Sequence, residues 1–360
     1  MYCMFAAIQR MEQTNNLSTG IYLLKLQNGY SLRPLKSNYF QMKSETRLNI
    51  VILALITVIN YGNAQTNAAI TTKNGLVSSR EKVEMLFPGG KTKALILSFD
   101  DGMVADRRLV RLMNEYGLTG TFHLNSNKLD TKDYLTKEEV KSLYQGHEVS
   151  GHTANHPNLT DLSKIDVIYE VVEDRTELER LTAYPVRGMS YPFGNTNDFV
   201  IEAITGLGIE YARTVGDTYN FSMPTDFLRW QPTIHLFGKT NYIPNDTAND
   251  RRESGQFYQL TNDFLKANSL ALFYVWGHSW EYEGAGNKWA EVEKFFKMVS
   301  KNPDIFYTTQ IGLVDYINAF KNLKFSVDKS MVTNLSSINV FIKVNGKAFN
   351  VEAGSTKHIF

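Results

Sequence analysis

From Lys93 to Asn322 short apolar runs alternate with stretches whose apolar residues recur at helical spacing. Ala94–Phe99 reads as a buried strand. A helix follows around Asp106–Tyr116, with Leu109, Val110, Leu112 and Met113 on one side and Gly117 as its stop. Strand Thr119–Leu124 precedes Thr136-Lys-Glu-Glu139, a capping box that opens a helix to Tyr144. His147–Ser150 is a short strand, and Ser163–Leu181 a long amphipathic helix. Strand Pro185–Tyr191, helix Asp198–Leu207 and strand Glu210–Val215 continue the series, before an irregular aromatic stretch that runs to about Asp250. Helix Gly255–Ala267, strand Leu270–Trp276, helix Lys288–Lys301, strand Ile305–Thr308 and helix Ile311–Asn322 complete it. Roughly seven β-then-α units in one run predict a parallel α/β sheet, and this many favour a barrel over an open sheet.

On either side the pattern breaks. Val340–Val344, the Asn345-Gly346 turn and Lys347–Val351 spell a hairpin, so 325–360 reads as a small β appendage to a barrel at 92–324. Gln65–Glu84 is polar and short of large apolar residues, which makes 65–91 a linker. Met42 begins an export pattern. Lys43 and Arg47 are its positive start and Leu48–Ile59 its apolar run, while Gly62 and Ala64 are the small residues of a cleavage site before Gln65. The apolar run is short for a membrane span. Residues 42–64 are therefore expected to be a signal peptide, and the protein to leave a bacterial cell for the periplasm or beyond. No stable membrane association is expected after cleavage. Residues 1–41, without periodicity, read as an extension from an upstream start.

Composition narrows the chemistry. With 38 basic and 37 acidic residues the net charge is +1, which argues against a nucleic-acid partner. The single cysteine, Cys3, excludes an internal disulfide framework and a thiolate metal site in the folded body. Any metal must therefore be held by histidines and carboxylates.

In a parallel barrel the site forms at the carboxyl ends of the strands, and the candidates fall there. Asp100 and Asp101 end a buried strand and Gly102 follows. Two adjacent acids there are costly unless something positive or hydrogen-bonding meets them. Successive strand side chains point in opposite directions, so one acid is free to hold a cation while the other handles a proton. The ordinary alternative is a strand-end turn. His152-Thr-Ala-Asn-His156 spaces two imidazoles by four residues, on one face if the turn is helical. With a carboxylate they make a His-His-Asp set that leaves positions open for water and substrate; a surface pair is the ordinary alternative. Tyr191-Pro192-Phe193-Gly194 ends another strand, and His278 follows Leu270–Trp276. His147 begins its strand and reads as structural, and His123 as a core or pocket-wall residue. His235 and His358 have no recognisable context.

This combination resembles the polysaccharide deacetylases, carbohydrate esterase family four, with their NodB homology domain. Ser98–Gly102 matches the family's Thr/Ser-Phe-Asp-Asp-Gly, His152–His156 its His-Ser/Thr-x-x-His, and Gly146-His147-Glu148 is also similar. The resemblance covers about 92–322 and implies a distorted seven-stranded (β/α) barrel. It implies Asp100 as general base, His278 as general acid, and Asp101, His152 and His156 as ligands of a divalent metal, Zn2+ ahead of Co2+ or Ni2+. The Phe193 backbone N–H would serve the oxyanion, in a pocket that also has Tyr191, Pro192 and Trp276. There are departures. Ser190 stands where the third motif has arginine, so the brace on the catalytic aspartate must come from elsewhere, Arg187 or Arg213. Trp276 replaces the usual leucine, and the fourth motif has only Asp217 and Trp230 as weak substitutes. A carboxylate beside His278, from Asp217, Glu281 or Glu283, would raise its pKa.

The expected function is metal-dependent deacetylation of an acetylated polysaccharide or oligosaccharide, an N-acetylglucosamine-type amide ahead of an O-acetyl ester. The alternatives are a hydrolase of small cyclic amides on the same fold and a non-catalytic glycan-binding surface protein. The residues leave the glycan and the oligomeric state open.

Overall fold

A computed structural model of the chain describes residues 83–237, 247–283 and 288–359, with main chain only for 247–253. All lie in the compact unit Ser79–Phe360. The export series at 42–64 and the extension at 1–41 lie outside the described residues.

The first strand, β1 (Val83–Leu86), belongs to the appendage. The sheet that carries the site begins with β2 (Lys93–Asp101). It continues through β3 (Thr121–Leu124), β4 (Glu148–Gly151), β5 (Gly188–Ser190), β6 (Tyr211–Arg213), β7 (Ile234–His235) and β8 (Ala271–His278), all parallel. Their spatial order is β6-β5-β4-β3-β2-β8-β7. Trp230, just before β7, bridges Arg213: its N–H donates to Ala212 O and its carbonyl accepts from the Thr214 N–H, each at 3.0 Å. One segment thus pairs with β6 at its start and with β8 at its end, and the curled sheet meets itself. β9 (Ile305–Tyr307) pairs with Lys93–Leu95, and β3 with Ser98–Asp101. The barrel is distorted because β2 serves these two strands along different halves of its length.

The helices are α1 (Asp106–Tyr116), α2 (Lys137–Leu143), α3 (Lys164–Thr182), α4 (Asp198–Gly206), α5 (Thr247–Lys266), α6 (Lys288–Val299) and α7 (Gln310–Lys321). The capping box that opens α2 is formed, with the Thr136 N–H donating to Glu139 Oε1 at 2.7 Å. A period of two sorts the strands between these helices and the barrel interior. Leu95, Leu97 and Phe99 of β2, and Ala271, Phe273 and Val275 of β8, join the outer core with α1 and α6. Ala94 and Ile96, with Leu272 and Tyr274, face inward and meet Leu313 and Val314 of α7 at the amino ends of the strands. Continued to the carboxyl ends, the same alternation carries Asp100 and His278 inward as register partners. Ser190 and Arg213 are partners in the same way.

Two short strands lie where the sequence reading put none. β7 falls in the aromatic stretch expected to be irregular, because two residues are too few to display a period. β1 falls in the stretch 65–91 expected to be a linker, because its partner is distant in sequence. It pairs antiparallel with β12 (Val340–Val344), which forms the expected hairpin with β13 (Lys347–Val351). Asn345 and Gly346 both have positive φ, +50° and +83°, as the tight hairpin turn requires. With β10 (Lys324–Phe325), β11 (Met331–Thr333) and β14 (Thr356–His358) the appendage has its own core, including Val332, Ile342 and Val351.

One close approach holds β4, β5 and β6 in place. The Tyr211 hydroxyl donates to Glu148 Oε1 at 2.6 Å and also lies 2.9 Å from Ser150 Oγ. Its ring passes over Gly188, where a Cβ would sit 2.0 Å from ring atoms. Gly188→Ala should therefore destabilise the fold by about 1–3 kcal/mol or more, read as the midpoint of urea unfolding. An unchanged midpoint would show that this packing is not needed.

Candidate active site

Asp100 is buried at the mouth of the barrel. Arg213, fully buried, donates to its Oδ2 from across the interior, and the Ser190 hydroxyl donates to Oδ1 at 3.1 Å. Burial works to raise the Asp100 pKa. The Arg213 guanidinium and the imidazoles of His152, His123 and His278 outweigh it and hold the carboxyl well below its usual range. Of the two arginines considered for the brace, Arg213 reaches the aspartate. Arg187 instead forms paired hydrogen bonds with Glu210 and Asp315.

The strand rule fails at Asp101. Alternation would turn it away from Asp100, but its φ is +86°, which swings the carboxylate back. His152 Nε2 then lies 3.9 Å from Asp100 Oδ2 and 3.7 Å from Asp101 Oδ1, and His156 Nε2 lies 3.8 Å from Asp101 Oδ1. The two histidines are not on a helical turn either. Residues 152–156 form a loop in which Thr153 and His156 have φ of +67° and +63°, and that reversal brings the two rings within 4.7 Å.

Two of the three donors are oriented by a second partner. The Trp280 indole N–H donates to Asp101 Oδ2 at 2.8 Å, leaving Oδ1 toward the imidazoles. His152 Nδ1 lies 2.9 Å from the Ser190 carbonyl and 2.7 Å from its hydroxyl, which turns Nε2 toward Asp101 and the cavity. Burial and the neighbouring His152 lower the His156 pKa to about 4, which keeps that ring neutral. Two imidazoles and one carboxylate oxygen, converging on a cavity, fit a divalent transition metal with positions left open.

Opposite them His278 Nδ1 lies 3.2 Å from Glu281 Oε1, and His235 Nε2 lies 3.1 Å from Glu281 Oε2. Burial works to lower the His278 pKa. The hydrogen bond and charge of Glu281, then Asp101 and Asp100, raise it to about 9. Of the three carboxylates considered, Glu281 is the one beside His278. Asp217 accepts from the Trp276 indole N–H at 2.9 Å, and Glu283 from that of Trp289 at 3.2 Å. Trp276 in turn lies under the Arg213 guanidinium, 4.4 Å from its ring centre. His235 escaped the sequence reading. Its one available sign was the apolar pair Ile234 and Leu236 on either side of it.

The cavity holds about 620 Å³, and its wall includes Tyr191, Phe193, Trp276 and Trp280. Phe193, 60% exposed and at φ +60°, stands edge-on to His156 at 4.8 Å. Pro192, expected in the pocket, is buried and off the cavity wall, because the turn it opens directs Phe193 outward instead. His147 accepts from the Gly120 N–H at the far rim, and His123 is buried between Ser98 and Gln310.

Residues 88–212 match the family described as polysaccharide deacetylase. Over 131 residues the chain is 25% identical to a chitin deacetylase of Pestalotiopsis sp., covering 36% of this chain and 44% of that one. Over 145 residues it is 29% identical to a peptidoglycan-N-acetylglucosamine deacetylase of Listeria monocytogenes, covering 39% and 30%. The matched stretch thus spans less than half of either relative. Among solved structures, a putative polysaccharide deacetylase from Mycobacterium smegmatis shares the fold at a TM-score of 0.52 and 14% identity, covering 67% of this chain and 96% of that one.

The two arginines should fail differently. Arg213→Leu leaves Asp100 buried without its counter-charge and should cost about 3–5 kcal/mol of stability. Arg187→Leu breaks a partly exposed cluster and should cost about 1 kcal/mol or less. Denaturant unfolding of both variants makes the comparison, and a larger loss at Arg187 would reverse the assignment.

Proposed function

We propose, since residues 88–212 match the polysaccharide deacetylase family, that the protein hydrolyses acetyl groups from an acetylated glycan with the help of a divalent metal. An N-acetylglucosamine-type amide is the favoured substrate over an O-acetyl ester. One observation carries this reading. A buried aspartate held ionised and a histidine held protonated lie 4.0 Å apart beside the His-His-Asp donor set.

A divalent ion held by Asp101, His152 and His156, Zn2+ ahead of Co2+ or Ni2+, would polarise the acyl carbonyl and make water more acidic. Asp100, ionised by Arg213 and oriented by Ser190, takes the proton of the water that adds to the carbonyl carbon. The Phe193 backbone N–H is the second donor for the oxyanion that develops there. As the C–N bond breaks, His278 gives its proton to the nitrogen, and acetate and a free amine result. An amine is a poor leaving group without that proton, and a histidine kept charged by Glu281 suits an amide better than an ester. The exposed face of Phe193 and the ring of Trp280 offer flat surfaces to a sugar. The Lys43–Ala64 series supports export, with the mature chain starting at Gln65.

The direct test is acetate release from chitooligosaccharide, peptidoglycan and acetylxylan by the chain from Gln65, with added Zn2+ or Co2+. Release from at least one is expected, and none from any would end the proposal. Asp100→Asn should lose ~10²–10⁴-fold in rate whatever the metal concentration, whereas Asp101→Asn should recover in part with excess metal.

A pH profile tests the acid. His278 works protonated, so activity should persist to about pH 9 and fall above it. Glu281→Gln removes the main anion facing the ring and leaves Asp100 and Asp101, so the pKa falls and the alkaline limb should move down by about one pH unit or more. An unmoved limb would take the proton-donor role from His278.

A further inference from the structure

We propose that Asp174 and Glu170, one turn apart on α3, are positioning residues for the metal-ligand loop, and that their loss weakens metal binding without altering a ligand. The inference rests on reading Asp101, His152 and His156 as the donors. Asp174 is almost completely buried, and both of its oxygens accept from backbone: Oδ1 from the Ser126 N–H at 2.8 Å and Oδ2 from the His152 N–H at 3.0 Å. Glu170 takes the far end of the loop. Its Oε2 accepts from the Asn155 N–H and its Oε1 from the Asn155 side-chain amide, each at 2.8 Å, while its carbonyl accepts from the Ala154 N–H at 3.0 Å. Three backbone N–H groups of the loop, those of His152, Ala154 and Asn155, are thus tied to one helix. On the other side the Asn125 amide donates to the carbonyls of His152 and Thr153.

The loop needs such ties. Thr153 and His156 sit in the left-handed region, which costs a residue with a Cβ about 1–2 kcal/mol. A strained backbone persists only where its surroundings fix it. Here those surroundings set the direction of both imidazoles. The room for Asp174 is equally specific. A Cβ on Gly151, the last residue of β4, would lie 2.9 Å from Asp174 Oδ2, so the carboxylate reaches the His152 N–H only because that residue has no side chain.

A merely structural carboxylate would change stability and leave the metal affinity of the folded protein alone. The test strips the full chain with chelator and titrates it with Co2+ and with Zn2+, without substrate. Asp174→Asn turns an amide donor toward a backbone N–H, and Gly151→Ala displaces the intact carboxylate. Each should weaken binding ~10–100-fold and alter the visible Co2+ spectrum. The rate constant should return at saturating metal, with KM unchanged. Should Asp174→Asn fail to fold, Gly151→Ala and Glu170→Gln decide. Folded variants with the unaltered affinity and spectrum would overturn the positioning role while leaving the deacetylase reading intact. Absence of Co2+ binding by the unaltered protein would overturn the donor set itself.

Discussion

The site depends on one buried ion pair, Arg213 with Asp100, that spans the mouth of the barrel. Each charge would be prohibitive there alone, so neither side chain has another arrangement open to it. The pair also explains a departure in the sequence. Ser190 occupies the slot where the resemblance expects arginine, and its register partner on the next strand is Arg213. The guanidinium that meets Asp100 comes from that neighbouring strand. The small serine leaves space for it and contributes a hydroxyl to Asp100 and a carbonyl to His152, so one residue orients both the buried carboxylate and the first imidazole. Trp276 supports this arginine from below, its ring under the guanidinium and its N–H fixed by Asp217.

The same environment drives two titratable groups apart. Asp100 and His278 are register partners on adjacent strands, yet one is held ionised by a guanidinium and the other protonated by a carboxylate shared with His235. Pairs of groups with opposed shifts are how acid and base roles are divided at one pH. His235 matters here because it gives Glu281 a second partner, which fixes the carboxylate beside His278.

Much of this was legible from residues alone where local periodicity carried the information. The alternation of β2 and β8 puts Asp100 and His278 on one face, and their runs are long enough to read. What was not legible has specific causes. Asp101 departs from alternation because of one positive φ, and the histidine loop departs from helical geometry because of two. None of these positions is glycine, the residue that would have marked a positive φ most clearly. β1 and β7 are fixed by distant partners rather than by their own pattern. The choice between Arg187 and Arg213 turned on Arg213 facing into the barrel from β6 and on Glu210 and Asp315 standing nearby to claim Arg187.

Below the mouth the barrel interior holds a buried polar network beside its apolar residues, and this has a consequence for the site above it. Glu148 accepts from the Tyr211 and Thr121 hydroxyls and from the Ile311 N–H, one of the orphan donors at the start of α7. His123 lies between Ser98 and Gln310. A one-residue slip of β4 would push Glu148 into the outer apolar layer and Val149 into this network, at a cost no other contact offsets. The register of β4 is therefore set by its buried acid. Since Gly151 ends that strand and His152 follows it directly, the height at which the first imidazole enters the mouth is fixed by Glu148, well away from any metal or substrate.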